Sequence, residues 1–447
     1  MIKKLFGEPK WKKIAIDQLE TTSDSYNQFS KRNRILLSSY CRNKRDGSDL
    51  PNELTFVIGN EAADADSVIS SLVYAFYKSK AAQNEKTYIP VVSIPREQLE
   101  LRCEIVSLLQ ALRIDLQDVH FVDEIDWKEL IQKHKTALSW ILVDHNHLTN
   151  KHIYQAVESS SHFDIDSLDV KEIIDHHQDQ NKYLQASYRN VAFQGSSALV
   201  GSCCTLVAEQ LRSTRYIPDQ ATKSEAGLLS TLLLSVISLD TINFDSSAKK
   251  ATSRDVAMAK WLETYSYAST DCLYEWLAAQ KSNEEHWKKF SFRNCLDYDY
   301  KEFAINEWSG HRFGISSVLI SLEKVAAKCG TKDAFLNELN EFCCKNSIKF
   351  LIIMTIERDN ETQAVKREVL FYEDGPTDYT KQCLNYLVID KSNDLRLLPL
   401  PDFEYQDTDH IRVFRQCNVA ASRKQLVPLL KEALNSTFDG SQSKTEA

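Results

Sequence analysis

Asp64 and Asp66 stand two residues apart where a hydrophobic run breaks off, in FVIGNEAADADSVISSLVYAF over residues 56–76. Two more apolar runs end in the same way: LSWILVD delivers Asp144 into a DHN sequence, and VKEIID delivers Asp175 into DHH with His176 and His177. A further carboxylate, Asp240, closes the apolar stretch LLSTLLLSVISLD. Carboxylates with one or two imidazoles are the ligand set for hard or borderline divalent cations, and a bridging aspartate holds two such ions about 3.5–4 Å apart. An aspartate between strand and helix serves equally well as an N-cap or turn residue, and an isolated His-His pair is more often structural. The recurrence of the pattern is what points to metal.

These side chains must be gathered by the elements that carry them. ELTFVIG, YIPVVSI, LSWILVD and VKEIID read as buried strands, while Val68, Ile69, Leu72, Val73 and Phe76 recur at helical spacing and LELRCEIVSLLQALRI continues as a helix. SALVGSCCTLVAEQLR and EAGLLSTLLLSVISLD read as long buried helices. Alternating strands and helices predict an α/β domain with a parallel sheet covered on both faces. Ligands of such a sheet collect outside the carboxyl ends of its strands, where the acidic residues lie.

The expected division is a helical N-terminal lead over 1–50, a metal-binding domain over 51–275, a charged linker over 276–289, a smaller α+β domain over 290–435 and a disordered tail over 436–447. In the smaller domain HRFGISSVLISL, IKFLIIMTIE, REVLFYED and HIRVFRQC are strand-like, and TKDAFLNELNEFCCK and RKQLVPLLKEALN are helical. No run of eighteen uncharged apolar residues occurs, and the N-terminal residues mix lysine with acids, which argues against a membrane span or secretory signal. The 11 cysteines include no CxxC spacing and read as reduced thiols of a cytoplasmic protein. A formal charge of −9 means that an anionic substrate needs a locally basic cleft. The aromatic residues show no base-stacking pattern, so nucleic acid is not an expected partner.

With NEAADADS, LVDHN and IIDHH in that order, the sequence resembles the DHH phosphoesterase superfamily, and within it the eukaryotic cytosolic exopolyphosphatase and prune branch. IPREQLELR, VGSCCTLV, LDTINF, KATSRD, DYKEF and CNVAASRKQLVP add collinear matches along nearly the whole chain. The resemblance implies a two-domain hydrolase with an N-terminal DHH domain, a DHH-associated C-terminal domain and two divalent ions; a monomer is the expected state. Carried over, it makes Asp64, Asp66, Asp144, His176 and Asp240 metal ligands, with Asp144 bridging. It turns His177 toward substrate and leaves Asp175 to orient its neighbours. Lys301, Arg423 and Lys424 match basic residues that hold the terminal phosphate, Arg423 as a fork and the lysines as point charges.

Asn60, Arg96 and Arg312 complete the residues expected at the substrate, and Arg102, Lys250 and Arg254 are further cations that could track a polyanion. Related pyrophosphatases carry histidine where this chain has Asn60, and the more oxygen-rich set favours Mg²⁺ over Mn²⁺ or Co²⁺. The implied activity is release of orthophosphate from the ends of inorganic polyphosphate by a water that two metals activate. The alternative is the same chemistry on pyrophosphate, tripolyphosphate, nucleoside tetraphosphates or cyclic nucleotides. A nuclease falls behind because the chain has no Gly-Gly pair, and a binding-only protein because every metal position is filled.

Overall fold

The apolar runs form strands in which nearly every side chain is buried. β1 (Leu54–Ile58), β2 (Thr87–Val92), β3 (His120–Phe121), β4 (Leu138–Val143), β5 (Val170–Asp175) and β6 (Tyr188–Val191) make one sheet in the order β3-β2-β1-β4-β5-β6. All its pairings are parallel. The computed structural model describes residues 23–41, 53–83, 86–134, 137–158, 165–304, 312–358, 364–373, 381, 384–385, 387–388, 395–405 and 410–442. The chain divides into two units, Met1–Lys281 and Ser282–Ala447.

Alternation along the strands sorts the first unit's core to two faces of the sheet. Leu54, Phe56, Ile58, Trp140 and Leu142 face a cluster completed by Leu37 and Tyr40 of α1 (Asp24–Cys41), while Val57, Ile141, Val143 and Ile174 face the other, with α2 (Ala65–Ala81) and α3 (Cys103–Ala111). The first face also takes α4 (Trp127–His134) and α5 (Lys151–Glu158). After a short hairpin of β7 (Phe193–Gln194) and β8 (Ser197–Ala198), the second face receives α6 (Cys203–Ser213), α7 (Lys223–Asp240), α8 (Ser253–Glu263) and α9 (Thr270–Lys281). A capping box of Thr222 and Glu225 starts α7, and the helix runs unbroken to Asp240. The sheet covered on both faces is therefore as the sequence predicts.

The second unit is a mixed sheet in the order β15-β16-β14-β11-β10-β9, with β9 (Tyr300–Ala304), β10 (Arg312–Val318), β11 (Phe350–Thr355), β14 (Glu368–Glu373), β15 (Leu397–Pro399) and β16 (Ile411–Gln416). β12 (Glu357–Arg358) and β13 (Val365–Lys366) form a separate hairpin. Only β10 and β11 pair in parallel; the other neighbours are antiparallel.

The stretch 276–289, expected as a linker, contains the division between the two units at Lys281 and Ser282 and is helical on either side of it. α9 runs to Lys281 with Trp276 and Leu277 in the core, and α10 (Glu284–Lys289) follows with Trp287 buried. Its charged residues cover helices that are anchored by few but large apolar side chains. Of the expected tail, residues 436–442 continue the last helix, α11 (Arg423–Gln442), while 443–447 lie outside the described residues. Of the N-terminal lead, α1 is described and residues 1–22 and 42–50 lie outside. No helix among the described residues is long and apolar enough to cross a membrane.

Candidate metal centre

The carboxyl ends of β1, β4 and β5 bring their acidic residues to one place. Gly59 ends β1 because a Cβ there would lie 2.7 Å from that of Ser67, so its absence lets the first turn of α2 close on the strand end. The peptide N–H of Asn60 donates to Ser67 Oγ at 3.0 Å, and that hydroxyl donates on to Asp144 Oδ2 at 2.7 Å. Asn60 Nδ2 donates to the same oxygen at 2.7 Å. Asp144 sits in the left-handed region with φ 61°, and its N–H is tied to Ile174 O at 2.9 Å. This strained backbone is held from both neighbouring strands and presents Oδ1 to the histidines.

His176 is buried, with Nδ1 3.1 Å from Val200 O. A carbonyl oxygen only accepts, so Nδ1 carries the proton and the neutral ring's lone pair is on Nε2. That atom lies 3.2 Å from Asp144 Oδ1 and 3.7 Å from Asp66 Oδ2. A lone pair facing two carboxylate oxygens requires a cation between them, either a proton or a metal ion. His177 gives its Nδ1 to Asp175 Oδ1 at 2.9 Å, and its ring is about one-third exposed, at 35%. Asp144, His176 and His177 each offer a ligand atom within 4.8 Å of the others.

Asp66 enters from α2 and its carboxylate occupies the N-terminus of α6. It accepts from the N–H groups of Cys203 at 2.6 Å and Cys204 at 2.8 Å and from Ser202 Oγ at 2.7 Å. Burial nevertheless pushes its pKa up to about 6, helped by the charges of Asp144 and Asp64 and opposed by His176 and Ser202. Asp240 is raised well above the carboxylate range, first by burial and then by Asp66 and Asp64. Its Oδ2 is buried with no hydrogen bond among the described residues. Mutually repelling carboxylates, an unpartnered buried oxygen and an imidazole lone pair aimed at acids together fit divalent metal. Asp64 also caps α2, accepting from Ser67 N at 3.0 Å, so the N-cap reading holds for it as well.

Asp175 behaves in the opposite way. Burial alone would raise its pKa, but the hydrogen bond and charge of His177 hold it below the usual value. It also accepts from the N–H groups of His176 at 2.7 Å and His177 at 3.1 Å, and from Asn146 Nδ2 at 2.5 Å. It holds the His177 imidazole through Nδ1 and His176 only by its peptide N–H, the His176 ring being tied to Val200 O. Asn146, the last residue of DHN, thereby locks the ends of β4 and β5 together; nothing in its spacing distinguished it from a turn asparagine.

Comparison with known proteins recognises a domain family in each unit. The DHH family N-terminal domain matches residues 55–235, and the DHHA2 domain matches residues 277–433. The chain belongs to the DHH family. It is 29% identical over 411 residues to the exopolyphosphatase PRUNE1 of Rattus norvegicus, covering 90% of this chain and 80% of that one. It is also 29% identical over 419 residues to a putative exopolyphosphatase of Schizosaccharomyces pombe, covering 91% of this chain and 97% of that one. A putative family II inorganic pyrophosphatase of Methanococcus jannaschii shares the fold, with TM-score 0.52, 20% identity and coverage of 85% of this chain and 99% of that one.

Within the DHH unit, several cations expected at the substrate are committed elsewhere. Arg96 pairs with Glu124, donates to Leu116 O at 2.8 Å and Val119 O at 2.7 Å, and lies 4.3 Å over the Phe121 ring. It braces β3 rather than standing open to an anion. Arg254 is paired with Glu209 through both ends of its fork, at 2.8 and 2.5 Å. Arg102 is buried against backbone carbonyls. The Gly201 N–H is also engaged, donating to Asp255 at 2.8 and 3.0 Å.

In the DHHA2 unit, two motifs meet. Lys301 on β9 pairs with Ile315 on β10, and Arg423 at the start of α11 donates to Ile315 O at 3.4 Å and Asp299 O at 2.9 Å. Its other nitrogen takes Asp299 Oδ1 at 2.8 Å. Lys424 beside it is exposed. Arg312 is half exposed and pairs with Glu302 across the same strands at 2.8 Å.

Proposed function

We propose that this hydrolase acts on phosphoanhydride bonds as an exopolyphosphatase, removing terminal orthophosphate from inorganic polyphosphate with two divalent ions as cofactor. The observation that carries the reading is His176 Nε2 set between the carboxylates of Asp144 and Asp66, at 3.2 and 3.7 Å. The names of the relatives favour polyphosphate over other phosphoanhydrides.

Asp64, Asp66, Asp144, His176 and Asp240 would hold the metal, which when bound supplies Lewis acidity and a water acidified toward neutrality. The residues of the chain do the remainder. Asp144 is kept ready by Asn60 and Ser67. Asp175 fixes the His177 tautomer with the proton on Nδ1, leaving Nε2 for the leaving phosphate, to which it serves as proton donor once the ring is charged. Lys301, Arg423 and Lys424 offset the negative charge that grows on the phosphoryl oxygens.

Incubating the protein with Mg²⁺ and, separately, long-chain polyphosphate, tripolyphosphate, pyrophosphate and a cyclic nucleotide tests the reading. Orthophosphate release from the long polymer, with residual chains staying long, supports it. Turnover of the short substrates alone replaces it with the short-chain alternative.

The metal preference has its own test. Asn60 accepts from Ala62 N at 2.9 Å and donates to Asp144, so its amide tunes the bridging acid. Asn60→His brings a softer nitrogen donor and is expected to raise affinity for Mn²⁺ over Mg²⁺ by about tenfold. Competitive titration calorimetry reads the ratio; an unchanged ratio removes Asn60 as the determinant.

A further inference from the structure

We infer that Arg102 is a positioning residue for the metal site, acting through the loop that carries Asp64. Arginine is almost never fully buried unless its donors are used, yet Arg102 is only 3% exposed. Its Nη2 donates to Ala62 O at 2.6 Å and its Nε to Ala63 O at 3.3 Å. Ala62 and Ala63 are themselves buried, so water cannot readily satisfy these carbonyls in its place.

The loop they belong to is wound tightly. Ala63 N donates to Asn60 O at 3.1 Å, Ala62 N donates to Asn60 Oδ1 at 2.9 Å, and Ala63 is left-handed at φ 45°. A non-glycine residue in that region persists only where its surroundings over-determine it. Arg102 supplies part of that determination from α3's N-terminal side. The residues downstream of the strained alanine are Asp64, then Asp66 and Ser67 in the first turn of α2. Ser67 hydrogen-bonds Asp144, and Asp66 faces His176. Releasing the two carbonyls therefore loosens three site residues at once, although Arg102 touches neither metal nor substrate. IPREQLELR is thus a structural clasp at both of its arginines, Arg96 on β3 and Arg102 on the acidic loop.

The inference rests on the divalent-metal reading of the site, and two readouts keep the two apart. Hydrogen–deuterium exchange of the metal-free protein should show faster exchange over residues 60–68 in Arg102→Met than in the parent. The control is Lys328→Met, because Lys328 likewise grips two carbonyls, those of Trp287 at 2.8 Å and Phe290 at 2.6 Å, but in the other unit. It should leave residues 60–68 unchanged. Calorimetric titration with Mn²⁺ should then give affinity about tenfold weaker in Arg102→Met, recovering most of the way in Arg102→Lys. Should the methionine variant fail to fold, Arg102→Gln, which keeps donors for one carbonyl, is read in its place. Unchanged exchange over 60–68 overturns the inference whether or not metal binds. Parent-like Mn²⁺ affinity in the Arg102 variant also overturns it. A parent protein that binds no Mn²⁺ sinks the metal reading, and the exchange comparison still decides Arg102.

Discussion

Asp144→Asn is expected to lower kcat by at least about a thousandfold, the scale on which groups acting as one unit are lost together. The fold should survive. Asparagine is nearly the same shape, tolerates the left-handed φ of 61° as readily as aspartate, and keeps an oxygen to accept from Asn60 Nδ2 and Ser67 Oγ. What it loses is the negative charge 3.2 Å from His176 Nε2 and the capacity to bridge two cations. Its amide would also turn a donor toward one of the groups the carboxylate now faces. Because the Asp144 charge helps to raise Asp66, the substitution should also bring the Asp66 pKa down. The metal-free variant should therefore unfold at or slightly above the parent's temperature at pH 8, while Mg²⁺ no longer raises it. Steady-state orthophosphate release and thermal unfolding with and without Mg²⁺ check the two halves. Parent-level turnover in this variant would sink the two-metal account.

The acidic strand ends were legible because a strand's burial and its terminal residue are both local. Three apolar runs that stop at Asp, in a chain alternating strand and helix, place those side chains on one edge of a parallel sheet before any contact is known. Asp240 was readable for a similar reason, since it closes the apolar run of α7 from Leu228 onward. What the sequence withheld were partners distant in the chain. Nothing near Asp66 shows that its carboxylate meets the N-terminus of α6, residues 202–204, and nothing near Asn146 points to Asp175. Arginine is the harder case, because a solvated cation and one gripping carbonyls look alike in composition. Arg96, Arg102 and Arg254 read as candidate polyanion contacts and are instead bound to Glu124, to loop carbonyls and to Glu209. The helices at 276–289 were hidden by their charge, since Trp276, Leu277 and Trp287 are too few to set a clear apolar period.

Metal and proton should compete for the same charge, so the stabilisation that Mg²⁺ gives should depend on pH. Asp66 is raised from 3.8 to about 6, by burial first and then by Asp144 and Asp64. A carboxyl raised on folding holds a proton in the native state that the unfolded chain releases. Its stabilising contribution is therefore complete below 3.8 and lost as pH rises through about 6. For Asp66 the difference between those limits is on the order of 3 kcal/mol. Asp240, raised by burial and the same neighbours, acts in the same direction. Asp175, whose pKa is lowered, is ionised at both pH 5 and pH 8 and adds almost nothing to the difference between them. Between pH 5 and pH 8 Asp66 and Asp240 favour the acid side and the buried and half-buried histidines the alkaline side: burial lowers His120 to about 4 and also lowers His145, His147 and His152, so each takes up a proton on unfolding at pH 5. Saturating Mg²⁺ should raise the unfolding temperature at pH 8 and leave it nearly unchanged at pH 5. At pH 8 the carboxylates are free to bind, and ligand at 100 times its dissociation constant adds about 2.7 kcal/mol. At pH 5 protons occupy the sites and the gain disappears. Asp66→Asn isolates its share: its amide can still accept from the α6 N–H groups, but compared with the parent the metal-free variant should lose stability at pH 5 relative to pH 8. A protein whose stability does not respond to Mg²⁺ at either pH, and whose metal-free pH dependence Asp66→Asn leaves unchanged, would show that these carboxylates hold no cation and need another explanation for their crowding.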